Sequence, residues 1–322
     1  MGAKSGNSEK RGTGPMTSVT LCVCTSRRPE FFRQFMRSLE TLIVPSGVAF
    51  HLSVTDNNAV SHYELYIKAL LEKLPFASSY GHDPAPGYSN ARNGALELAL
   101  KTPAELLAFV DDDLTVDPHW LLGHLRSHEE FACDVVGGAI HGRRSRYNTG
   151  RGYAHGEVRP TIGTSNVSFK RWIVANDGLC LRFDPRFNAT GTEDQDFFSS
   201  AHRGGARIVV SSYPIVHDST GNKDANLWNK AKVASIMHRN RIVRFRKEVS
   251  LVAGLASAIW GVRFGLKSLP IFLDYQVSLL FKNSDRALQK QISAYRNFQK
   301  MVQGFKGLRG DYVARHDARR SF

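Results

Sequence analysis

The run Leu106-Leu107-Ala108-Phe109-Val110 passes without a break into Asp111-Asp112-Asp113. An apolar run with no polar alternation describes a strand covered on both faces, which requires a sheet with helices above and below it. Three adjacent carboxylates repel one another, so a fold that keeps them at one strand end must offset their charge. The usual means is a hard divalent cation, which takes oxygen ligands and bridges to phosphate oxygens. In an open α/β sheet, ligands bind beyond the carboxyl ends of the strands. The triplet therefore points to a metal–phosphate site at the tip of a buried strand, with an acidic, solvated turn as the plainer alternative.

The residues on either side supply the rest of such a sheet. Val19 to Cys24 reads as a first buried strand ending at Thr25-Ser26-Arg27-Arg28-Pro29, and Pro29 stands where a helix can begin. Phe31, Phe35, Leu39 and Leu42 are expected on one face of that helix. Phe50 to Thr55 alternates as a second strand and ends in Asp56-Asn57-Asn58; a helix over about 61–74 and a short strand over 76–80 follow. Pro84-Ala85-Pro86-Gly87 marks a loop, and Asn90 to Leu100 a helix leading into the strand before the triplet. Strand–helix alternation of this kind predicts an α/β fold with a mostly parallel, doubly wound, Rossmann-like sheet. Three strand ends carry polar clusters, so a shared ligand site at the carboxyl edge is expected.

The second half is less regular. Asp134 to Ala139 reads as a strand, 141–156 as a Gly/Arg-rich loop, and Ile208-Val209-Val210 as a short strand leading to Pro214-Ile215-Val216-His217-Asp218. Thr192-Glu193-Asp194-Gln195-Asp196 places a second acidic cluster at a loop-to-helix junction.

Net charge is +14, and its distribution carries more than its size: residues 1–220 hold 23 Lys+Arg against 23 Asp+Glu, and residues 221–322 hold 20 against 6. A neutral body over 17–220 with a basic helical appendage over 221–322 follows, the appendage suited to an anionic surface. Residues 1–16 are polar, lack a secretory signal and read as a disordered tail. Cys22, Cys24, Cys133 and Cys180 show no zinc spacing, and Cys22 and Cys24 are expected on one side of the first strand as reduced core thiols in a cytoplasmic setting. The apolar stretch 251–280 is interrupted by Arg263, Lys267 and Asp274, too often for a spanning helix. An in-plane amphipathic segment or a soluble helical subdomain remain open for it.

In order along 17–220, Val23-Cys24-Thr25-Ser26-Arg27-Arg28-Pro29, Asp56-Asn57-Asn58, Gly87-Tyr88-Ser89-Asn90-Ala91-Arg92-Asn93, Phe109-Val110-Asp111-Asp112-Asp113, Gly163-Thr164-Ser165-Asn166 and Thr192-Glu193-Asp194 resemble the elements of the family 2 glycosyltransferases, sugar-nucleotide-dependent enzymes of GT-A fold. Within that family the chain is more similar to bacterial exopolysaccharide and cell-surface glycan transferases than to processive synthases. The resemblance implies a nucleotide-sugar donor contacted by Thr25, Arg27, Asp56, Arg92, Asp111 and Asp112. It implies Mg2+ or Mn2+ held by Asp113, with His217 as a further candidate ligand. It implies Asp194 as the general base of an inverting displacement, with Glu193 orienting it or contacting the acceptor, and a glycan or lipid-linked saccharide as acceptor. Asp196 falls outside the motif, and Lys223 lies in a loop of the kind that closes on the donor. Thr55 and Ser165 depart from the commoner family residues and bear on donor identity more than on reaction type.

Two other readings compete. A haloacid-dehalogenase-like phosphatase would use Asp111 as nucleophile and Asp113 as acid, but that motif opens its domain, whereas three elements precede it here. A non-catalytic basic protein would use Arg239, Arg241, Arg244, Arg246 and Lys247 on nucleic acid or lipid headgroups; no nucleic-acid motif accompanies them. The expectation is a hexose-transferring enzyme on the cytoplasmic face of the membrane, peripheral to it, with no nucleic-acid partner.

Overall fold

A computed structural model describes residues 18–142, 153–188 and 191–219, together with the single positions Ile259 and Asn297. The elements below belong to one compact unit; a second unit comprises Arg186–Thr192 and Lys223–Phe322. The expected basic appendage, Lys223 and the stretch 251–280 lie outside the described residues apart from those two positions, as does most of the loop expected over 141–156.

The elements follow the order β1 (Ser18–Thr25), α1 (Pro29–Leu39), β2 (Ala49–Asp56), α2 (Glu64–Leu71), β3 (Ala77–His82), α3 (Tyr88–Leu100), β4 (Leu106–Val110), β5 (Leu114–Val116), α4 (Trp120–Phe131), β6 (Val135–His141), β7 (Asn166–Lys170), α5 (Glu193–Arg203) and β8 (Ile208–Asp218). They build one sheet in the order β3-β2-β1-β4-β7-β6-β8-β5. β3, β2, β1 and β4 run parallel, as the alternation predicts. β7 then pairs antiparallel with both β4 and β6, β6 pairs parallel with β8, and β8 antiparallel with β5. The sheet is thus mixed, and the reversal at β7 matters for the site.

Strand periodicity divides the core into two layers. Leu21, Val23, Leu52, Val54, Ala108 and Val110 pack with Phe32, Phe35 and Leu39 of α1 on one face. Cys22, Leu107 and Phe109 point the other way, onto Ala95 and Leu96 of α3, Phe169, Phe183, and Phe197 and Phe198 of α5. Cys24 packs at the edge of that second layer, so both thiols of β1 share a side as their spacing implies. All four cysteines are unpaired with one another. Each large side chain buried this way contributes roughly 1.5–3 kcal/mol.

The buried face of α1 is Phe32, Phe35, Met36 and Leu39, while Phe31 is only half-buried. A strict four-residue spacing drifts about 40° per step around a helix of 3.6 residues per turn, so the 32/35/36/39 set tracks the core where 31/35/39 does not.

Candidate active site

The carboxyl edge of the parallel strands gathers the polar strand ends. Thr25 closes β1, and its Oγ1 donates to Asp112 Oδ2 at 2.8 Å. Asp112 is fully buried, and its second oxygen takes Arg28 Nη2 at 2.5 Å. Burial pushes the Asp112 carboxyl up to about 7, against the opposing pull of Arg28 and Thr25. The other arm of the same guanidinium, Nη1, reaches Asp113 Oδ2 at 3.0 Å. Arg28, not Arg27, is therefore the arginine at the triplet. Arg27 is exposed, with a left-handed φ of 56°, and lines a cleft with Thr25, Arg28, Asn58, Tyr63 and Tyr66. The available signal for Arg28 was its place directly before the helix-starting Pro29. That is a capping position where Ser, Thr, Asp or Asn is favoured and a cation is not.

Asp111 takes a different set of partners. Ser165 Oγ donates to its Oδ2 at 2.6 Å, and Arg92 Nη2 lies 3.6 Å from its Oδ1. Arg92, in the second turn of α3, also pairs with Glu193 at the start of α5 and lies 5.9 Å from the Phe183 ring. Burial would lower the Arg92 pKa, but Glu193 and Asp111 outweigh it and hold the guanidinium above its usual range. Arg92 thus joins the two acidic clusters that the sequence leaves 80 residues apart. Glu193 is 4% exposed; it fixes Arg92, and an acceptor contact is not what this burial offers.

Asp194 is half-buried beside the start of β7. Its Oδ1 accepts from the Gln195 N–H at 2.7 Å, and the Thr164 N–H donates to the same carboxylate. Burial raises its pKa above the ordinary carboxylate range; Arg92 opposes this and Asp111 adds to it. Gly163 makes the position possible, since a Cβ there would stand 3.3 Å from Asp194 Oδ2.

Asp56 departs from its expected place. It has no exposed surface, and its oxygens accept from Asn58 N–H (3.1 Å) and Nδ2 (2.5 Å), Ser61 Oγ (2.5 Å) and Tyr80 Oη (3.3 Å). It organises the loop after β2 from beneath. His217 is exposed on β8, opposite Thr115 in β5, with its ring 5.4 Å from that of His141. Ser219, two residues on, donates its N–H to the Asp113 carbonyl at 3.1 Å.

Among the described residues, no three His, Cys, Asp or Glu side chains are already gathered as a metal shell. The donor chemistry nonetheless fits Mg2+ or Mn2+. Such ions need only one or two carboxylates when phosphate oxygens and water complete the shell, and Asp111 and Asp113 supply these at the strand tip.

The sequence reading missed what holds β7 in place. Asn166 Oδ1 accepts from Trp120 Nε1 at 2.9 Å and lies 3.1 Å from His124 Nε2, while its Nδ2 donates to the carbonyls of Ala139 and Pro214 at 2.9 and 3.0 Å. Ser168 Oγ continues the network to His124 Nδ1 (2.7 Å) and His128 Nε2 (2.8 Å). Gly138 leaves the space for the amide: a Cβ there would come within 2.3 Å of Asn166 Nδ2. The pairs that lock Asn166 and Ser168 join α4 and β7 across the core, and nothing in local spacing announces them.

Residues 20–181 match the domain described as Glycosyl transferase family 2. The chain is 31% identical over 228 residues to the succinoglycan biosynthesis protein ExoM of Rhizobium meliloti (strain 1021), a match covering 66% of this chain and 71% of that protein. It is similar in fold to the mannosyltransferase PcManGT from Pyrobaculum calidifontis, solved in complex with GDP-Man and Mn2+, with a TM-score of 0.55 at 15% identity over 91% of this chain and 87% of that one. A match to S. aureus TarS has a TM-score of 0.49 at 17% identity over 88% of this chain, which spans 55% of the TarS chain. The phosphatase reading of Asp111 and Asp113 gives way to the family match and the 31% identical relative, and the fold is the GT-A type. With the family domain running from β1 past β7 and a relative above 30% identity, the chain belongs to glycosyltransferase family 2.

Proposed function

We propose that this glycosyltransferase moves a sugar from a nucleotide-sugar donor to a saccharide acceptor, a glycan or a lipid-linked chain, by a single inverting displacement. The observation that carries the proposal is the Asp194 carboxylate. It is half-buried, held by the Gln195 and Thr164 N–H groups, raised in proton affinity, and close enough to Arg92 and Asp111 to feel both charges. A base in such a place takes the acceptor hydroxyl proton. The acceptor oxygen then bonds the anomeric carbon as the bond from that carbon to the diphosphate oxygen breaks, and the nucleoside diphosphate leaves.

The remaining residues bind and orient. Thr25 and Asp112 hold Arg28 at the triplet, Arg92 spans Asp111 and Glu193, and Arg27 lines the neighbouring cleft. Asp56 shapes the cleft wall through Asn58. A bound Mg2+ or Mn2+ would be held by Asp113 with Asp111, His217 being a further candidate ligand, and would neutralise charge on the leaving diphosphate. The names of the relatives, a succinoglycan biosynthesis protein and a mannosyltransferase crystallised with GDP-Man and Mn2+, accord with a hexose donor, a divalent cation and a polysaccharide product. The excess charge of residues 221–322 suits an anionic membrane surface, which supports reading the enzyme as peripheral to the cytoplasmic face.

A panel of nucleotide sugars with Mn2+ or Mg2+, read by nucleoside diphosphate release, tests class and donor together. Asp113→Ala and Asp194→Asn are each expected to lower transfer by about 10²-fold or more, and only Asp113→Ala to weaken metal-dependent donor binding. An active Asp194→Asn enzyme removes the base assignment.

A further inference from the structure

Arg28 is the residue whose placement is least accounted for by the fold. It occupies the N-cap of α1, where its side chain makes no capping bond and a positive charge faces the positive end of the helix. Local preference argues against it. Its guanidinium instead forks across two adjacent carboxylates, one fully buried and one 14% exposed, while the Arg28 side chain itself is 44% exposed.

The two arms are not equivalent. Asp112 is fixed from behind by Thr25, so the Asp112 arm is an anchor. Asp113 keeps some exposed surface, and its Oδ2 is the atom that meets the other arm. A divalent ion using Asp113 and Arg28 using Asp113 would place positive charge at the same carboxylate. Arg92 serves Asp111 and Glu193, and Arg28 pairs with the other two acids of the triplet.

We propose that Arg28 is a built-in counter-cation that holds Asp113 against a divalent ion until a diphosphate draws the guanidinium away, so that cation uptake depends on the donor. The side chain is exposed enough to swing toward solvent. It lines the cleft with Arg27 and Asn58, and a guanidinium that leaves one carboxylate can make the same forked contact with a phosphate. The inference rests on the reading of Asp113 as a metal ligand and goes beyond it, because it assigns an order: apo enzyme binds the cation weakly, and diphosphate and cation bind together.

The test is a titration of the full chain with MnCl2 alone, free Mn2+ being followed by electron paramagnetic resonance, and a second titration with the Mn2+–pyrophosphate complex. Arg28→Gln removes the competing charge and is expected to bind Mn2+ alone about tenfold or more tightly than wild type, an estimate from the strength of partly buried charge pairs. That gain is lost in Arg28→Gln/Asp113→Asn. Arg28→Lys keeps a charge that cannot fork across both acids and is expected to show a smaller gain in the same direction, which decides the matter if Arg28→Gln does not fold. If neither single variant binds Mn2+ more tightly while wild type takes up Mn2+–pyrophosphate through Asp113, the gating role of Arg28 is wrong and the metal site stands. If wild type shows no Asp113-dependent uptake of the complex, the metal-site reading itself falls.

Discussion

Gly163→Ala is the smallest change that probes the base without touching it. The glycine needs no left-handed backbone, so alanine meets no φ penalty, and among the described residues its neighbour within 4 Å is Asp194 Oδ2 at 3.3 Å. That separation is tighter than ordinary van der Waals contact, so the carboxylate must retreat by a few tenths of an ångström. It cannot do so freely, because Oδ1 is pinned by the Gln195 N–H at 2.7 Å. Misplacing a reacting group by about 1 Å costs on the order of 10²-fold, so a shift of a few tenths is expected to lower kcat by about 3–10-fold. KM for the donor should hold, since Asp111, Asp113 and Arg28 are untouched. Steady-state transfer kinetics, with urea unfolding to confirm an unchanged fold, give the measurement. A double-mutant cycle sharpens it: if Gly163 acts through the Asp194 carboxylate as base, Gly163→Ala should add little in an Asp194→Asn background. Wild-type kcat in Gly163→Ala, or a full additive loss in the double variant, refutes the reasoning.

Asn166→Ala strands the buried groups of Trp120, His124, Ala139 and Pro214 that the amide serves. At about 1–3 kcal/mol for each unsatisfied group, and less than additively, the loss should be roughly 3–6 kcal/mol by denaturant unfolding; a loss below about 1 kcal/mol would show that water replaces the amide. Burial lowers His124 to about 3 and His128 to about 4. Because the unfolded imidazoles take up protons near pH 6.5 while the folded ones do not, stability is full above about 6.5 and is lost as pH falls toward 4. Unfolding free energies at pH 7.5, 6 and 5 should decline by several kcal/mol in all, and a flat profile would contradict the burial of neutral rings. Co-flotation of the full chain with anionic vesicles at low salt, abolished by about 0.5 M salt and absent with neutral lipid, is expected if residues 221–322 bind the surface electrostatically; salt-resistant or neutral-lipid binding would point to apolar insertion.

What the sequence made legible is what local chemistry determines. β1 and β4 are apolar runs and β2 an alternating one, punctuated by Pro, Gly and polar strand ends, so the parallel half of the sheet, its helices and the acidic triplet could be placed from spacing and composition. β5 could not: three residues pair with a strand a hundred positions later, and no local pattern carries that pairing. The length of β8 was hidden by Pro214, which punctuates a run that nonetheless continues as strand from Ile208 to Asp218. Among site residues, one cause separates motif position from the placement seen. Residue type and motif position nominate a carboxylate or an arginine, but burial and partner choice decide its task. Glu193 and Asp56 are covered, the first paired with Arg92 through Oε1 and the second bonded to the Asn58–Ser61 loop, and Arg28 reaches the triplet from the N-cap of α1 while Arg27 turns outward.

The reversal of β7 explains why both acid clusters meet. A purely parallel sheet delivers only carboxyl ends to one edge, here Thr25, Asp56 and the triplet. An antiparallel strand delivers its beginning to that same edge. With Val110 opposite Asn166, the register sets Ser165 beside Asp111 and Thr164 beside Asp194. A slip of one residue would turn Asn166 out of the core and every neighbouring side chain to the other face. The buried amide, bonded to α4 on one side and to β6 and β8 on the other, therefore fixes the register in which Ser165 and Thr164 serve the two acids. Stability and chemistry are coupled at this one strand: whatever loosens Asn166 also moves the groups that hold Asp111 and Asp194, so its variants should lose kcat in the still-folded population as well as lose stability.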